Sequence, residues 1–260
     1  MNILDQIVAV KKEEIKKLRA GYRLRNFYDS PHFGRTVGRF RKAVTNPDEL
    51  SVIAEIKKAS PSAGVIRSDF DPAAIARGYE DNGAAAISVL TDRQFFQGHI
   101  EFLQTIADFS RVPLLRKDFI IDEYQVFESR WAGADAILLI AEILSASQIV
   151  ELSAAAREAG LDVLLELHHA DQLQKIDLLR NRIIGINNRD LKAFSVDINT
   201  CIGIKQILPS GVAVVAESGI KGATEIRVIR NAGIDAILVG EHLMRAENPG
   251  LALKELRDAG

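Results

Sequence analysis

The chain of 260 residues is 47% hydrophobic and 26% charged, has a formal net charge of -2, and contains one cysteine, Cys201. That length suits one (β/α)8 barrel or two small domains, and the near-neutral charge excludes a general attraction to nucleic acid or an anionic membrane. A lone cysteine excludes an intrachain disulfide, no apolar run reaches spanning length, and the N-terminus lacks a signal-peptide core, so a cytoplasmic protein is expected.

Residues 1–48 differ from the rest. Ile3, Leu4, Ile7, Val8, Ile15 and Leu18 recur at helical spacing, and Lys11 to Lys17 supply a charged face. Gly21 can end that helix. Residues 22–48 are polar and basic, punctuated by Pro31 and Pro47, with a short helix expected near Arg35–Val44. The stretch has too few large apolar residues for its own core. It reads as an extension lying on a main domain of residues 49–260.

Ser51–Lys57 reads as the first strand, followed by a Ser/Pro/Gly loop. Thereafter a unit repeats. Asn82-Gly83-Ala84-Ala85-Ala86-Ile87-Ser88-Val89-Leu90 resembles the stretches beginning at Ala132-Gly133, Ala159-Gly160 and Ala232-Gly233. Each is a helix end with a glycine, a short turn and an apolar strand. Val112–Lys117, Ile183–Asn187 and Val212–Glu217 complete eight strand-like runs. Helical segments fall between them at Pro72–Asp81, Asp122–Trp131, Ser145–Glu158, Ala170–Leu179 and Lys221–Arg230. Alternating apolar strands and helices predict an α/β fold, a (β/α)8 TIM barrel. An open doubly wound sheet is the alternative, but no Gly-x-Gly-x-x-Gly follows the first strand.

Barrel chemistry sits where strands end. Period-two alternation turns Glu55, Lys57, Lys117, Glu166, Asn187 and Glu217 inward at one face. Buried charges cost several kcal/mol each unless paired, so this convergence points to catalysis rather than stability. A phosphate cradle is expected from Ser218 and Gly219 after the seventh strand and Gly240 and Glu241 after the eighth, before a short helix. A β-carbon at Gly240 is expected to crowd the phosphate. The Glu241 carboxylate is expected to turn away, towards Arg245 four residues on. Phe95, Phe96 and Phe119 follow strands two and three and can stack on a flat ring or pack in the core. Leu138 and Leu238, on apolar strands, are counted among the substrate contacts. His168-His169 has no partner at metal-ligand spacing and reads as loop; His99 and His242 read as helix starts or surface groups. Cys201 and Trp131 read as packing residues.

The motifs Glu55-Ile-Lys57-Lys58-Ala-Ser60-Pro61-Ser62, Leu115-Arg-Lys117-Asp-Phe119, Ile186-Asn187-Asn-Arg189-Asp-Leu191 and Ala216-Glu217-Ser218-Gly219-Ile220, in this order, resemble the indole-3-glycerol phosphate synthase family. The resemblance runs from about residue 3 to the C-terminus. Ala63 stands where many bacterial members carry lysine, and Glu241 where some carry serine. The resemblance implies a phosphorylated small-molecule substrate, 1-(2-carboxyphenylamino)-1-deoxyribulose 5-phosphate, with loss of carbon dioxide and water. It implies Lys117 as the acid at the ketone, its pKa lowered by Lys57 and burial, and Glu166 as the base in dehydration, with Lys57 or Lys117 as the acid of that step. Glu55 and Glu217 would hold the lysines and sugar hydroxyls, Asn187 the departing hydroxyl, and Arg189 with Lys57 the substrate carboxylate. Ser60, Ser62 and Leu191 join the substrate contacts. No metal or cofactor, no nucleic acid and no membrane is implied, and a monomer or weak homo-oligomer is expected. A sugar-phosphate isomerase of the same fold, a Schiff-base aldolase using Lys117 and a non-catalytic barrel stay open as alternatives.

Overall fold

In the computed structural model, which describes residues 3–189 and 195–259, eight parallel strands close into a barrel with each strand beside its sequence neighbours. They are β1 (Ser51–Ile56), β2 (Ala86–Leu90), β3 (Leu114–Lys117), β4 (Ala136–Ile140), β5 (Asp162–Leu167), β6 (Ile183–Asn187), β7 (Ala213–Glu217) and β8 (Ala236–Val239). β1 pairs with both β2 and β8, so there is no open edge, and the doubly wound alternative is overturned. An antiparallel hairpin, Ala59–Ser60 with Gly64–Val65, follows β1.

The helices are α1 (Ile3–Gly21), α2 (Arg39–Val44), α3 (Pro72–Asp81), α4 (Arg93–Phe96), α5 (Ile100–Ala107), α6 (Glu123–Trp131), α7 (Ala146–Glu158), α8 (Asn199–Ile207), α9 (Ala223–Asn231), α10 (Glu241–Arg245) and α11 (Pro249–Asp258). Asp71, Asp92, Asp122, Ser145 and Asn248 start five of them by accepting backbone N–H groups that lack an intrahelical partner. His99 does the same for α5, as expected of a helix-start residue. Gly133 closes α6 at φ 96°, a conformation that carries the chain straight into β4.

Two apolar layers result. Val52, Ala54 and Ile56 on the outward face of β1 pack under the helices, with Cys201 and the rim of Trp131 in the same layer. Ile53, Leu115, Leu138, Leu164, Val215 and Leu238 fill the barrel interior. Phe40 and Val44 of α2 belong to that interior cluster, and the Arg41 amide donates to Asp162 at the start of β5. The helix therefore plugs the N-terminal end of the barrel. Ile7 of α1 joins the same cluster beside Phe119, at the opposite end. Residues before β1 thus run from the mouth of the barrel, along α6, to its base.

Three expectations are corrected. The helix expected over Arg35–Val44 begins only at Arg39; a 3-10 turn, Pro31–Gly34, precedes it. The helix expected over Ala170–Leu179 is a 3-10 turn, Ala170–Lys175. Asp177 ends it, because its carboxylate accepts the Leu179 amide and offers the backbone a local turn instead. Lys11 does not belong to a solvated face. It is 2% exposed, and its ammonium lies 2.9 Å from both Asp92 and Asp118 and 2.8 Å from Glu14.

Candidate active site

The inward residues at the C-terminal ends of the strands converge on a cavity of about 890 Å3. Parallel register sets their heights: Asn187 lies beside Glu217, Glu217 beside Leu238, and Ile140 beside Glu166. At the centre, the Lys117 ammonium donates to Glu166 Oε2 at 3.0 Å and to Glu217 Oε2 at 2.9 Å. Asn187 Nδ2 donates to the other Glu166 oxygen at 3.3 Å. Across the barrel Lys57 pairs with Glu55 at 2.6 Å. Every carboxylate in this set is buried, with Glu55 and Glu166 each 4% and Glu217 2% exposed.

Two glycines make that density of charge possible. A β-carbon at Gly185 in β6 would lie 2.3 Å from Glu217 Oε1, and one at Gly240 would lie 2.3 Å from Glu55 Oε1. Each glycine leaves the room its neighbour's carboxylate occupies, the role expected of glycine inside a central strand or at its end. A β-carbon at Gly240 is expected from the sequence to crowd a phosphate; the structure shows that one added there would also clash with Glu55.

Burial by itself would lower the Lys117 pKa, but the opposing pull of Glu166, Glu217 and Glu55 is larger and the net shift is upward. This corrects the expectation that Lys57 and burial lower it. Glu166 moves the other way. Burial would raise its pKa, yet Lys117, His168 and Asn187 hold it down to about 2. Glu217 is pushed up to about 8 by burial and by the Glu166 and Glu55 charges, which together outweigh Lys117. The physical cause is a surplus: Glu55, Glu166 and Glu217 face Lys57 and Lys117, three carboxylates against two ammoniums. A proton on Glu217 removes the surplus negative charge from a buried site.

Ser60, Ser62, Phe96, Phe119, Leu138, Arg189, Ser218, Gly219, Leu238, Gly240 and Glu241 line the same cavity. Leu191 lies outside the described residues. Phe96 and Phe119 face each other with ring centroids 6.0 Å apart; Phe95 packs on the interior cluster with them but is not among the cavity-lining residues. Glu241 turns to Arg245, with an Oε1–Nη2 distance of 2.9 Å, as expected of the i, i+4 pair. Its other oxygen lies 3.9 Å from Arg189. Ser218, at φ 64°, and Gly219, at φ 81°, both take the left-handed conformation between β7 and α9. For serine that conformation is strained, and it is held here by the Asn188 side chain donating to the Ser218 carbonyl at 3.1 Å.

Several lining residues were not singled out from the sequence. Ile3, Leu4 and Ile7 bring α1 over the mouth, and Lys221 and His242 stand at its rim. His168, expected in a loop, is 4% exposed and lies against Glu166. The signal was available: His168 is two residues beyond Glu166, on the same face of the strand's continuation. Asn188 is buried for the opposite reason, pointing outward to tie β6 to the loop after β7. Among the described residues no group of three or more His, Cys, Asp or Glu side chains is arranged to hold a metal ion.

Comparison with known proteins agrees with this geometry. Residues 4–256 match the family model for indole-3-glycerol phosphate synthase. The indole-3-glycerol phosphate synthase of Rhodopirellula baltica is 43% identical over 256 residues, covering 98% of this chain and 99% of that protein. That of Desulfotalea psychrophila is 46% identical over 256 residues, with 98% of each covered. Among solved structures, a 3-hexulose-6-phosphate synthase superposes with a TM-score of 0.65 at 17% identity, over 81% of this chain and 99% of that one. The tryptophan synthase α subunit of Legionella pneumophila gives 0.62 at 13% identity, over 85% and 97%. At such low identity these structures bear on the barrel fold alone. The near-full-length family match and the relatives above 40% identity show more: the chain belongs to the indole-3-glycerol phosphate synthase family.

Proposed function

We infer that this chain converts 1-(2-carboxyphenylamino)-1-deoxyribulose 5-phosphate into indole-3-glycerol phosphate, carbon dioxide and water. It is the ring-closing carboxy-lyase step of tryptophan biosynthesis. The observation that carries the reading is Lys117 held between Glu166 and Glu217 at the floor of a deep cavity, in a chain of this family.

The ring carbon bearing the carboxylate attacks the ketone, and negative charge develops on the ketone oxygen. The Lys117 ammonium is the acid there. Its raised pKa keeps it charged at neutral pH, so it meets that oxygen as a cation and transfers its proton as the alkoxide forms. Protonated Glu217, 2.9 Å away, can restore the proton. Loss of carbon dioxide returns the ring to aromaticity. Dehydration then needs an acid, Lys57 or Lys117, to protonate the hydroxyl that departs as water, and a base to take the proton lost from the substrate, and Glu166 is placed as that base. Its low pKa reflects its pairing with Lys117; once Lys117 engages the substrate oxygen, Glu166 loses that partner and gains basicity. Lys57, poised against Glu55, and Arg189 supply positive charge for the substrate carboxylate. Phe96 and Phe119, packed on each other, form one aromatic wall of the cavity against which the substrate ring can lie. Residues 1–48 act as an extension that covers the mouth with α1 and closes the base with α2. A Schiff-base route through Lys117 is disfavoured, because imine formation needs a neutral amine and the flanking carboxylates oppose one.

Purified protein mixed with the anilino-deoxyribulose phosphate should yield indole absorbance and fluorescence. Turnover without indole would assign a different reaction, and borohydride trapping of a substrate adduct would assign the Schiff-base route.

The phosphate falls to the backbone N–H groups of Ser218, Gly219, Gly240 and Glu241 in this reading. Glu241→Ala should leave KM within a few-fold of wild type, since the carboxylate already points to Arg245. A rise in KM above ~10-fold, about 1.4 kcal/mol, would mean that the carboxylate itself contacts substrate. Gly240→Val should lower kcat as well as raise KM, because its β-carbon displaces Glu55 from Lys57. A rise in KM alone would return the effect to the phosphate.

A further inference from the structure

His168 is a buried titratable group beside Glu166 to which the mechanism above gives no task. It directly follows β5, and its side chain is 3% exposed. Its backbone amide donates to Gln172 Oε1 at 2.8 Å, and the Gln172 amide is in turn bonded to Glu142. The peptide is thereby fixed from behind while the ring lines the cavity. Neither ring nitrogen has a hydrogen-bond partner in the structure, and Nε2 stands 3.4 Å from Glu166 Oε1. That oxygen receives Asn187 Nδ2 at 3.3 Å, while Lys117 holds the other oxygen at 3.0 Å. The two oxygens of Glu166 therefore face different groups: Asn187 and the His168 ring on one side, Lys117 on the other.

We propose that His168 is a positioning residue for Glu166. With Asn187 it anchors Oε1, so that Oε2 becomes the basic oxygen when Lys117 moves to the substrate. The imidazole acts in its Nε2–H form and transfers no proton; the proton removed in dehydration goes to Oε2. Without that anchor, a carboxylate released by Lys117 is free to rotate, and the correct oxygen faces the substrate for a smaller fraction of the time. Lys117 from β3 and Glu217 from β7 are the charged groups facing Glu166 from other strands, with Glu55 of β1 acting on both. A donor turned towards Glu166 Oε1 favours the ionised carboxylate over the protonated one. Losing a donor therefore raises the pKa of the base.

The proposal rests on Glu166 as the base, and the test separates the two claims. His168→Phe should lower kcat by ~10-fold or more, the scale of a hydrogen bond to a charged group. KM should change little, and the acidic limb of the kcat/KM profile should move to higher pH. His168→Gln, whose amide reaches the Nε2 position, should restore most of kcat and the wild-type limb. His168→Asn, whose amide reaches only the Nδ1 position, should not. The Gln–Asn contrast decides the matter if the Phe variant fails to fold. Equal losses in the Gln and Asn variants, or a Phe variant with wild-type kcat and an unmoved limb, would overturn the proposal. Glu166→Gln is assayed in parallel. If it stays active, both readings fall; if it is inactive while His168→Phe is normal, only the positioning role falls.

Discussion

Lys117→Ala is expected to lower kcat by at least ~100-fold, the usual scale for a positioned acid, with substrate binding largely intact. The geometry gives the loss two sources. The first is the acid itself, which acts on charge that appears only in the transition state. The second follows from what Lys117 leaves behind. Glu166 and Glu217 would face each other in a buried site with their shared cation gone. Glu217 already carries one proton, and without the cation that favoured ionised Glu166 the proton is no longer confined to Glu217. If that proton settles on Glu166, the base is lost together with the acid. Single-turnover measurements should then show both carbon–carbon bond formation and dehydration slowed. A variant within a few-fold of wild type would remove Lys117 from the mechanism.

Much of this arrangement was legible in the sequence because it follows from local periodicity. The glycine, short turn and apolar strand recur around Gly83, Gly133, Gly160 and Gly233, and each recurrence became a barrel strand. Alternation from Val52, Ala54 and Ile56 placed Glu55 inward, and the same count placed Lys117, Glu166, Asn187 and Glu217. What stayed hidden depends on residues far apart in the chain. Gly185 and Gly240 look like ordinary small residues until Glu217 and Glu55 are seen filling the space beside them. The sequence points the Lys117 pKa in the wrong direction because Lys57 and Lys117 both end inward-facing strands, whereas in space Lys57 is bound to Glu55 and Lys117 to two other carboxylates. Lys11 sits in a run that reads as a solvated face, and only the barrel loops show why it is buried.

Lys11→Met, which keeps the length of the chain and removes the charge, is expected to destabilise the fold by about 3–5 kcal/mol, the cost of breaking a buried ion pair from one side. The pair is central rather than ornamental. Asp92 is fully buried; it accepts the amides of Phe95 and Phe96 and so starts α4. Asp118 is bonded to Thr91, Arg116 and the Phe119 amide. One ammonium from α1 thus fixes the loops after β2 and β3, which carry Phe96, Phe119 and the end of the strand bearing Lys117. Burial would raise the Asp118 pKa, but Lys11 and Arg116 overcome it and hold the carboxyl at about 2, below its ordinary 3.8. The sign follows from linkage. A depressed carboxyl contributes stability that is present above its unfolded pKa and lost as pH falls towards the folded one. In the wild type that contribution persists until the pH falls from about 3.8 towards about 2. Without Lys11 the folded pKa rises, so the contribution shrinks and acid unfolding should move to higher pH. Denaturant titrations at neutral pH and an acid-unfolding series on both proteins measure the two effects. Because Ile3, Leu4 and Ile7 of the same helix line the cavity, KM should rise in the folded fraction as well. A Lys11→Met protein with wild-type stability, an unmoved acid transition and an unchanged KM would show that α1 is held to the barrel by its apolar face alone.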